Sequence, residues 1–277
     1  MNHDVPADDA SILYYDGDYP SLEIGEARAE HVVTLNRVGI LGDVGHYKEL
    51  ARRTGGPVLE VGAGTGRLSV PLARLGFDVW AVDVAPAMLA RLEARRAAEP
   101  EEVRNRLHPV CQDAQALDLP ERSFRLAIIP FNVLMLIPDL GMQRRTLASV
   151  AAHLPPGGLL ALDIMNPLVL TLGEDHTPHP SEPRRNPITG NSYVKTSLND
   201  RMDEAQVQRL HGWYDELLPD GRIQVTEFSF RWRIIFRVEL ELLLNEAGFD
   251  LETISGDFES GAWTVDRPRM VATARRR

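Results

Sequence analysis

Five short apolar runs, at residues 57–61, 79–84, 107–111, 126–131 and 159–164, constrain this chain more than any other feature. Between them lie segments with helical spacing, 66–75, 86–97 and 142–154. A run that is apolar throughout reads as a strand buried on both faces. Repeated strand–helix units of this length pair their strands in parallel beneath helices on either side. The fold class is therefore α/β. Upstream, residues 1 to about 20 read as loosely ordered, and helical patterning begins near Ile24 and resumes over 43–53.

From Asn166 to about Phe230 the rhythm breaks. A proline-rich stretch (Pro178, Pro180, Pro183, Pro187) and a Thr189-Gly190-Asn191 turn precede three strand-like runs, 192–198, 206–214 and 223–235. Pro219-Asp220-Gly221 separates the last two. These runs predict a small antiparallel sheet inserted between the fifth strand and the last helix, 238–247, which Gly248 terminates. Strands at 251–255 and 269–274 follow.

The first strand runs directly into Val58-Leu-Glu-Val-Gly62-Ala-Gly64-Thr-Gly66-Arg67 and then a helix. Glycines two apart permit backbone conformations that a side chain forbids and let a ligand approach the main chain, while the helix start presents unpaired N–H groups. The bland alternative is a tight packing turn. Against it, the second strand ends at Asp83, whose carboxylate can accept from both hydroxyls of a ribose, and the third ends at Cys111-Gln112-Asp113-Ala114. Ligands of open α/β sheets bind at the carboxyl ends of the strands, so these features converge on one nucleoside-binding crevice. A dinucleotide fingerprint is Gly-x-Gly-x-x-Gly; here the third glycine comes one residue early, and Glu60 would repel a pyrophosphate. Glu60 suits a cationic ligand.

Taken in order, Glu60 to Gly66, Asp83, Asp113 and Leu154-Pro-Pro-Gly-Gly158 resemble the successive motifs of the class I S-adenosylmethionine-dependent methyltransferases. The resemblance runs from about Asp43 to the C-terminus. It implies a Rossmann-like, seven-stranded, mostly parallel sheet whose last strand, 269–274, is antiparallel, with the antiparallel β insertion added. It further implies S-adenosylmethionine as cofactor: Gly62, Ala63, Gly64 and Gly66 against the methionine part beside Glu60, Asp83 on the ribose, Val84 and Met88 flanking the adenine, and Asp113 with Ala114 at its edge.

A closer resemblance is to bacterial small-molecule methyltransferases with an N-terminal Tyr-Asp segment and an inserted antiparallel sheet, including amino-sugar N-methyltransferases. It rests on Tyr14-Tyr15-Asp16, Pro130-Phe131-Asn132, Asp163-Ile-Met-Asn166-Pro167, Phe236-Arg237-Val238-Glu239-Leu240 and Gly256-Asp257-Phe258, and it adds Phe131 to the cofactor residues. Several such relatives carry a histidine shortly after the fourth strand, where this chain has Leu136. The division this implies is an N-terminal helical or lid segment (1–42), a cofactor-binding core (43–165), an inserted sheet covering the active site (166–235) and the end of the core sheet (236–277).

Methyl transfer from a sulfonium is an in-line displacement, which a protein assists by aligning acceptor and methyl group and by excluding water. An amine with a free lone pair needs no strong base, whereas an alcohol or phenol benefits from one. The candidates to act on the acceptor are Tyr14 and Tyr15, which the resemblance implies close over the cofactor, His211 beside Trp213 and Tyr214, and Asn166, which with Asp163 follows the fifth strand. Each has a bland reading: a packed tyrosine pair, a surface histidine, a structural turn. His46 either lines the carboxylate end of the cofactor or only packs. Glu227, Ser229, Arg231 and Arg233 alternate with Phe228, Phe230 and Trp232, so the aromatic face is expected to pack and the polar face to contribute to substrate selection. Trp263 offers a further aromatic wall.

The expected reaction is methyl transfer to N or O of a small biosynthetic acceptor. C-methylation of an electron-rich ring such as an indole is the variant, and a cofactor-binding subunit without catalysis is the alternative of another class. A net charge of -10 disfavours a nucleic-acid partner. No apolar run approaches the ~20 residues that cross a bilayer. The single Cys111 provides neither a disulfide nor a multi-cysteine metal site, and no metal is called for. Residues 1–10 lack the basic start and apolar stretch of a secretory signal, so a cytoplasmic protein is expected, and a homodimer is allowed.

Overall fold

The structure, a computed structural model, describes residues 9–25 and 27–277. Two one-turn helices, α1 (Ala10–Leu13) and α2 (Tyr15–Asp18), lie where the sequence predicts loose order. Tertiary contacts account for them: Ile12 packs with Ala85 and Met88, and Tyr14 packs with Tyr193 and Tyr214. Helices α3 (Ala29–Arg37) and α4 (Asp43–Thr54) follow.

The core then alternates as β1 (Val58–Val61), α5 (Ser69–Arg74), β2 (Val79–Asp83), α6 (Pro86–Ala97), α7 (Glu101–Arg104), β3 (Leu107–Cys111), β4 (Leu126–Ile129), α8 (Leu140–Ala152) and β5 (Leu159–Met165). After the insertion come α9 (Arg237–Glu246), β11 (Phe249–Ser255) and β12 (Arg269–Arg276). Seven strands form one sheet in the order β11-β12-β5-β4-β1-β2-β3. Strands β1 to β5 pair in parallel, and β12 runs antiparallel to both β5 and β11. Alternate strand residues face opposite cores: Leu59, Ala127, Ile129 and Leu160 face α8 and α9, while Val58, Leu126, Ile128 and Ala161 face α4 and α5. Strand order reverses beside β1, whose neighbours are β2 and β4, and this opens the crevice at its carboxyl end.

The insertion is a second sheet of five strands: β6 (Asp175–Pro180), β7 (Arg184–Arg185), β8 (Ser192–Asn199), β9 (Val207–Leu217) and β10 (Ile223–Arg233), in the order β10-β9-β8-β6 with β7 also on β8. Two of them, β6 and β7, fall in the stretch expected to be a proline-rich loop. Strand β6 is an edge, where Pro178 and Pro180 need donate nothing to a neighbouring strand. The helix expected over 66–75 begins at Ser69, because 62–68 is occupied by a turn with three positive-φ glycines. Helix α8 begins two residues before the expected 142, where the Asp139 carboxylate accepts the Met142 N–H at 2.7 Å. Among the described residues no helix is long and apolar enough to cross a membrane.

Candidate active site

At the end of β1 the chain turns through Gly62 (φ 77°), Gly64 (φ 55°) and Gly66 (φ 85°). A Cβ at Gly62 would lie 2.3 Å from Val133 and one at Gly66 2.8 Å from Leu92, so the turn is closed on its packed side. Asp83, at the end of β2, accepts the Gly64 N–H through Oδ2 at 2.8 Å and the Ala85 N–H through Oδ1 at 2.9 Å. It thereby ties the turn to the start of α6, and burial raises its pKa despite these bonds. Val84 is half-buried, while Met88 and Ala63 are buried. Asp113 is turned onto its own short helix, Ala114–Ala116, accepting the Gln115 N–H at 2.9 Å and the Gln115 amide at 2.8 Å. All these residues lie at the carboxyl edge of β1 to β3.

Beneath the turn Glu60 is joined by an ion pair that the sequence reading left without a role. Arg67 donates to both oxygens of Asp43, at 3.0 and 2.5 Å, and both side chains are buried. Glu60 is buried and accepts from the Ser69 hydroxyl; burial pushes its pKa up to about 7. The folded state therefore holds a proton that an unfolded glutamate, with a value of 4.5, releases. The stability this contributes is complete below pH ~4.5 and is lost as pH rises through ~7. A cationic ligand favours the carboxylate instead, so its affinity should run the other way. S-adenosylhomocysteine, whose ammonium would meet Glu60, is expected to bind about tenfold more tightly at pH 8 than at pH 6. Calorimetric titrations across that range should show the trend, with Glu60→Gln flattening it. An affinity constant from pH 6 to 8 in the unaltered protein would refute the assignment.

Phe131 and Asn132, straight after β4, both have positive φ, 46° and 62°. Asp163, wholly buried in β5, holds them there: its Oδ1 accepts the Phe131 N–H at 2.9 Å and its backbone carbonyl accepts the Asn132 N–H at 3.0 Å. Asp163 also accepts the Tyr47 hydroxyl at 2.5 Å and the guanidinium of Arg269, which lies in β12 and is buried. Arg67 and Arg269 flank the Phe131 ring, 5.9 and 5.8 Å from its centroid. Nε of Arg67, Nε and Nη1 of Arg269 and Nε2 of His46 are buried without a hydrogen-bond partner. Buried, unpartnered guanidinium donors next to a buried acid suit the carboxylate and ammonium of a methionine moiety. The residues present thus fit S-adenosylmethionine. Asp43, Tyr47, Arg67 and Arg269 escaped the sequence reading; the available signal was charge placed within otherwise apolar elements.

The paired tyrosines diverge. Tyr15 covers the glycine turn, its hydroxyl 3.4 Å from where a Gly64 Cβ would stand, and it leads through Tyr19 to Phe131 by edge contacts of 5.2 and 4.7 Å. Tyr14 turns away, against the expectation that it acts on the acceptor. It stacks on Tyr214 at 4.0 Å and donates to Glu216 at 2.7 Å, and burial pushes its pKa up to about 12. His211 is also corrected. Register puts it with Ser229 on the face of β9 and β10 opposite Tyr214 and Phe228, where Asp200 lies 3.1 Å from its Nε2. Asn166 is wholly buried, its amide donating to the carbonyls of Thr264, Val265 and Arg267, so it pins a loop, as the structural-turn reading expects.

On β10 the aromatic face packs inward as expected: Trp232 is buried against the main core with Phe230 beside it. Glu227, Ser229 and Arg231 are exposed, whereas Arg233 turns in, onto Gln143, Gln206 and Glu239. Trp263 is packed against the same core beneath the Arg237 guanidinium, 4.9 Å from its ring.

Residues 58–158 match the family described as "Methyltransferase domain". Among solved structures, the CcbJ methyltransferase from Streptomyces caelestis is 27% identical, covering 84% of this chain and 89% of its own, with a TM-score of 0.69. The glycopeptide N-methyltransferase MtfA complexed with S-adenosylmethionine is 26% identical, covering 84% and 94%, with a TM-score of 0.54. CalS10 from Micromonospora echinaspora, an amino pentose methyltransferase, has the same fold at 23% identity, covering 91% and 98%, with a TM-score of 0.64. No curated protein sequence is matched. The sheet order and glycine crevice define the class I methyltransferase fold. Residues 58–158 thus form an S-adenosylmethionine-dependent methyltransferase domain with the class I fold, and the chain adds an antiparallel insertion.

Proposed function

We propose that the enzyme methylates an amino nitrogen of a small biosynthetic metabolite, held between the aromatic face of the insertion and the crevice floor at Phe131. The observation that carries this reading is the fate of the candidate bases. Tyr14 is bonded away with a pKa pushed up to about 12, His211 lies on the far face of its sheet, and Leu136 stands where several relatives have a histidine. An amine supplies its own lone pair, so a site without these bases suits it better than a hydroxyl. That MtfA is an N-methyltransferase is in keeping with the reading.

S-adenosylmethionine supplies an electrophilic methyl group. Toward it, Glu60 would hold the ammonium, Arg67 and Arg269 the carboxylate, and Asp83 the ribose. Val84, Met88, Asp113 and Ala114 would border the adenine. Tyr15 would shield the turn from water, which strengthens every electrostatic contact beneath it.

Purified enzyme given methyl-labelled cofactor should label small amines, amino sugars first, and not their hydroxyl analogues. Tyr14→Phe and His211→Ala should each keep kcat within about threefold, since loss of a true general base costs about a hundredfold or more. Label appearing only in hydroxyl acceptors, or a hundredfold loss in either variant, would overturn the amine reading.

A further inference from the structure

Helix α2 is a single turn with two differently committed faces. Tyr14 and Asp18, four residues apart and so on one side, are committed to the inserted sheet. Asp18 is 1% exposed and accepts from four donors there. Its Oδ1 takes the Tyr193 hydroxyl at 2.9 Å and Arg184 at 2.6 Å; its Oδ2 takes Lys195 at 2.7 Å and the Tyr214 hydroxyl at 2.8 Å. Burial raises its pKa, yet Lys195 and Arg184 outweigh that and hold it below the usual carboxylate range. The other side is committed to the cofactor turn. Asp16 accepts the Thr65 hydroxyl at 2.7 Å and Arg91 at 2.6 Å and forms an ion pair with Arg95 at 2.9 Å, while Tyr15 lies over Gly64.

Gly17 joins the two acids. A Cβ there would stand 2.5 Å from the Tyr193 hydroxyl and 2.9 Å from the Arg185 carbonyl, so the turn is pressed onto the sheet without slack. With the acids two residues apart in one helical turn, α2 cannot leave the sheet and stay seated on Thr65, Arg91 and Arg95. Removing Asp18 would leave Lys195 and Arg184, with side chains only 15% and 12% exposed, without their counter-charge, which weakens the hold of the sheet on the turn.

We propose that Asp18 is a positioning residue for the cofactor site: by anchoring α2 to Lys195, Arg184 and the two tyrosines of the insertion, it holds Tyr15 and Asp16 down on the glycine turn. Sheet and cofactor are thereby coupled through a segment that touches both. Coupling of this kind is reciprocal, so whatever steadies the inserted sheet tightens cofactor binding, and the converse.

The test is S-adenosylhomocysteine affinity by calorimetry, together with amide hydrogen exchange over residues 62–66. Asp18→Asn should raise Kd about tenfold and speed exchange in that turn, although Asp18 approaches none of the cofactor-binding residues assigned above. Lys195→Met should shift both readouts in the same direction, and His211→Ala, on the opposite face, should shift neither. A purely structural Asp18 would lower the melting temperature while leaving Kd at the wild-type value at 25 °C, and that result overturns the proposal. Should Asp18→Asn not fold, Lys195→Met and Tyr214→Phe decide it: wild-type affinity in both overturns it, and weakened affinity in both upholds it.

Discussion

Gly62→Ala is expected to abolish S-adenosylhomocysteine binding and to cost about 2–4 kcal/mol of stability. Two effects add. The backbone at 62 sits at φ 77°, where a Cβ is strained, and the methyl group would stand 2.3 Å from one Val133 methyl and 2.8 Å from the other. Val133 cannot withdraw freely, because it follows Phe131 and Asn132, whose backbones are pinned to Asp163. The turn must therefore shift toward the side on which the cofactor binds. Gly64→Ala is the informative contrast. At φ 55° it lies in the left-handed region that other residues do visit, and its Cβ would come no closer than 3.4 Å to the Tyr15 hydroxyl at the end of a side chain. It should keep the fold and weaken binding only in part. Denaturant titration and calorimetry on both variants check the ranking, and equal losses in the two would refute the steric account.

Asp163→Ala should be the most destabilising single change at the site, about 3–5 kcal/mol, because it strands the buried Arg269 cation. It also removes the acceptor of the Tyr47 hydroxyl and of the Phe131 N–H. A buried pair replaced whole by apolar groups is far less costly than a pair broken in half. The double variant Asp163→Leu with Arg269→Met should accordingly be more stable than Asp163→Ala, though without restored cofactor affinity. Chemical unfolding of the single and double variants measures this, and a double variant less stable than the single would show that Asp163 acts other than by neutralising Arg269.

The core sheet was readable because parallel strands buried on both faces leave unbroken apolar runs, and the glycine turn because its positive φ angles favour glycine at three alternate positions. Asp83 could be placed since a strand end has only one position at the sheet edge. The insertion was harder. Prolines in β6 mask an edge strand that uses only one side of its backbone, and β7 is two residues long, below any period. On β10 the aromatic run marked its own inner face, but His211 on β9 kept two readings because a period of two identifies two faces without saying which is inner. Tyr14 and Tyr15 look equivalent in sequence, and only contacts some 200 residues away separate them, such as Tyr14 with Glu216, 202 positions apart. Asn166, Asp163 and Arg269 belong to one three-dimensional cluster drawn from β5, β12 and neighbouring loops, and local spacing carries no trace of it.

The remoteness of α2 from its partners on the inserted sheet also governs when this cover can be anchored during synthesis. Tyr14 and Asp18 leave the ribosome long before their partners on the inserted sheet, of which Arg184 follows Asp18 by 166 residues and Glu216 follows Tyr14 by 202. At typical translation speeds that interval is roughly 10–40 s. Well before it ends, Thr65, Arg91 and Arg95 are available to Asp16, but α2 lacks its anchor on the inserted sheet. Segment α2 is thus made early and anchored late, and a nascent chain can take up its nucleoside before the cover that retains it is fixed in place.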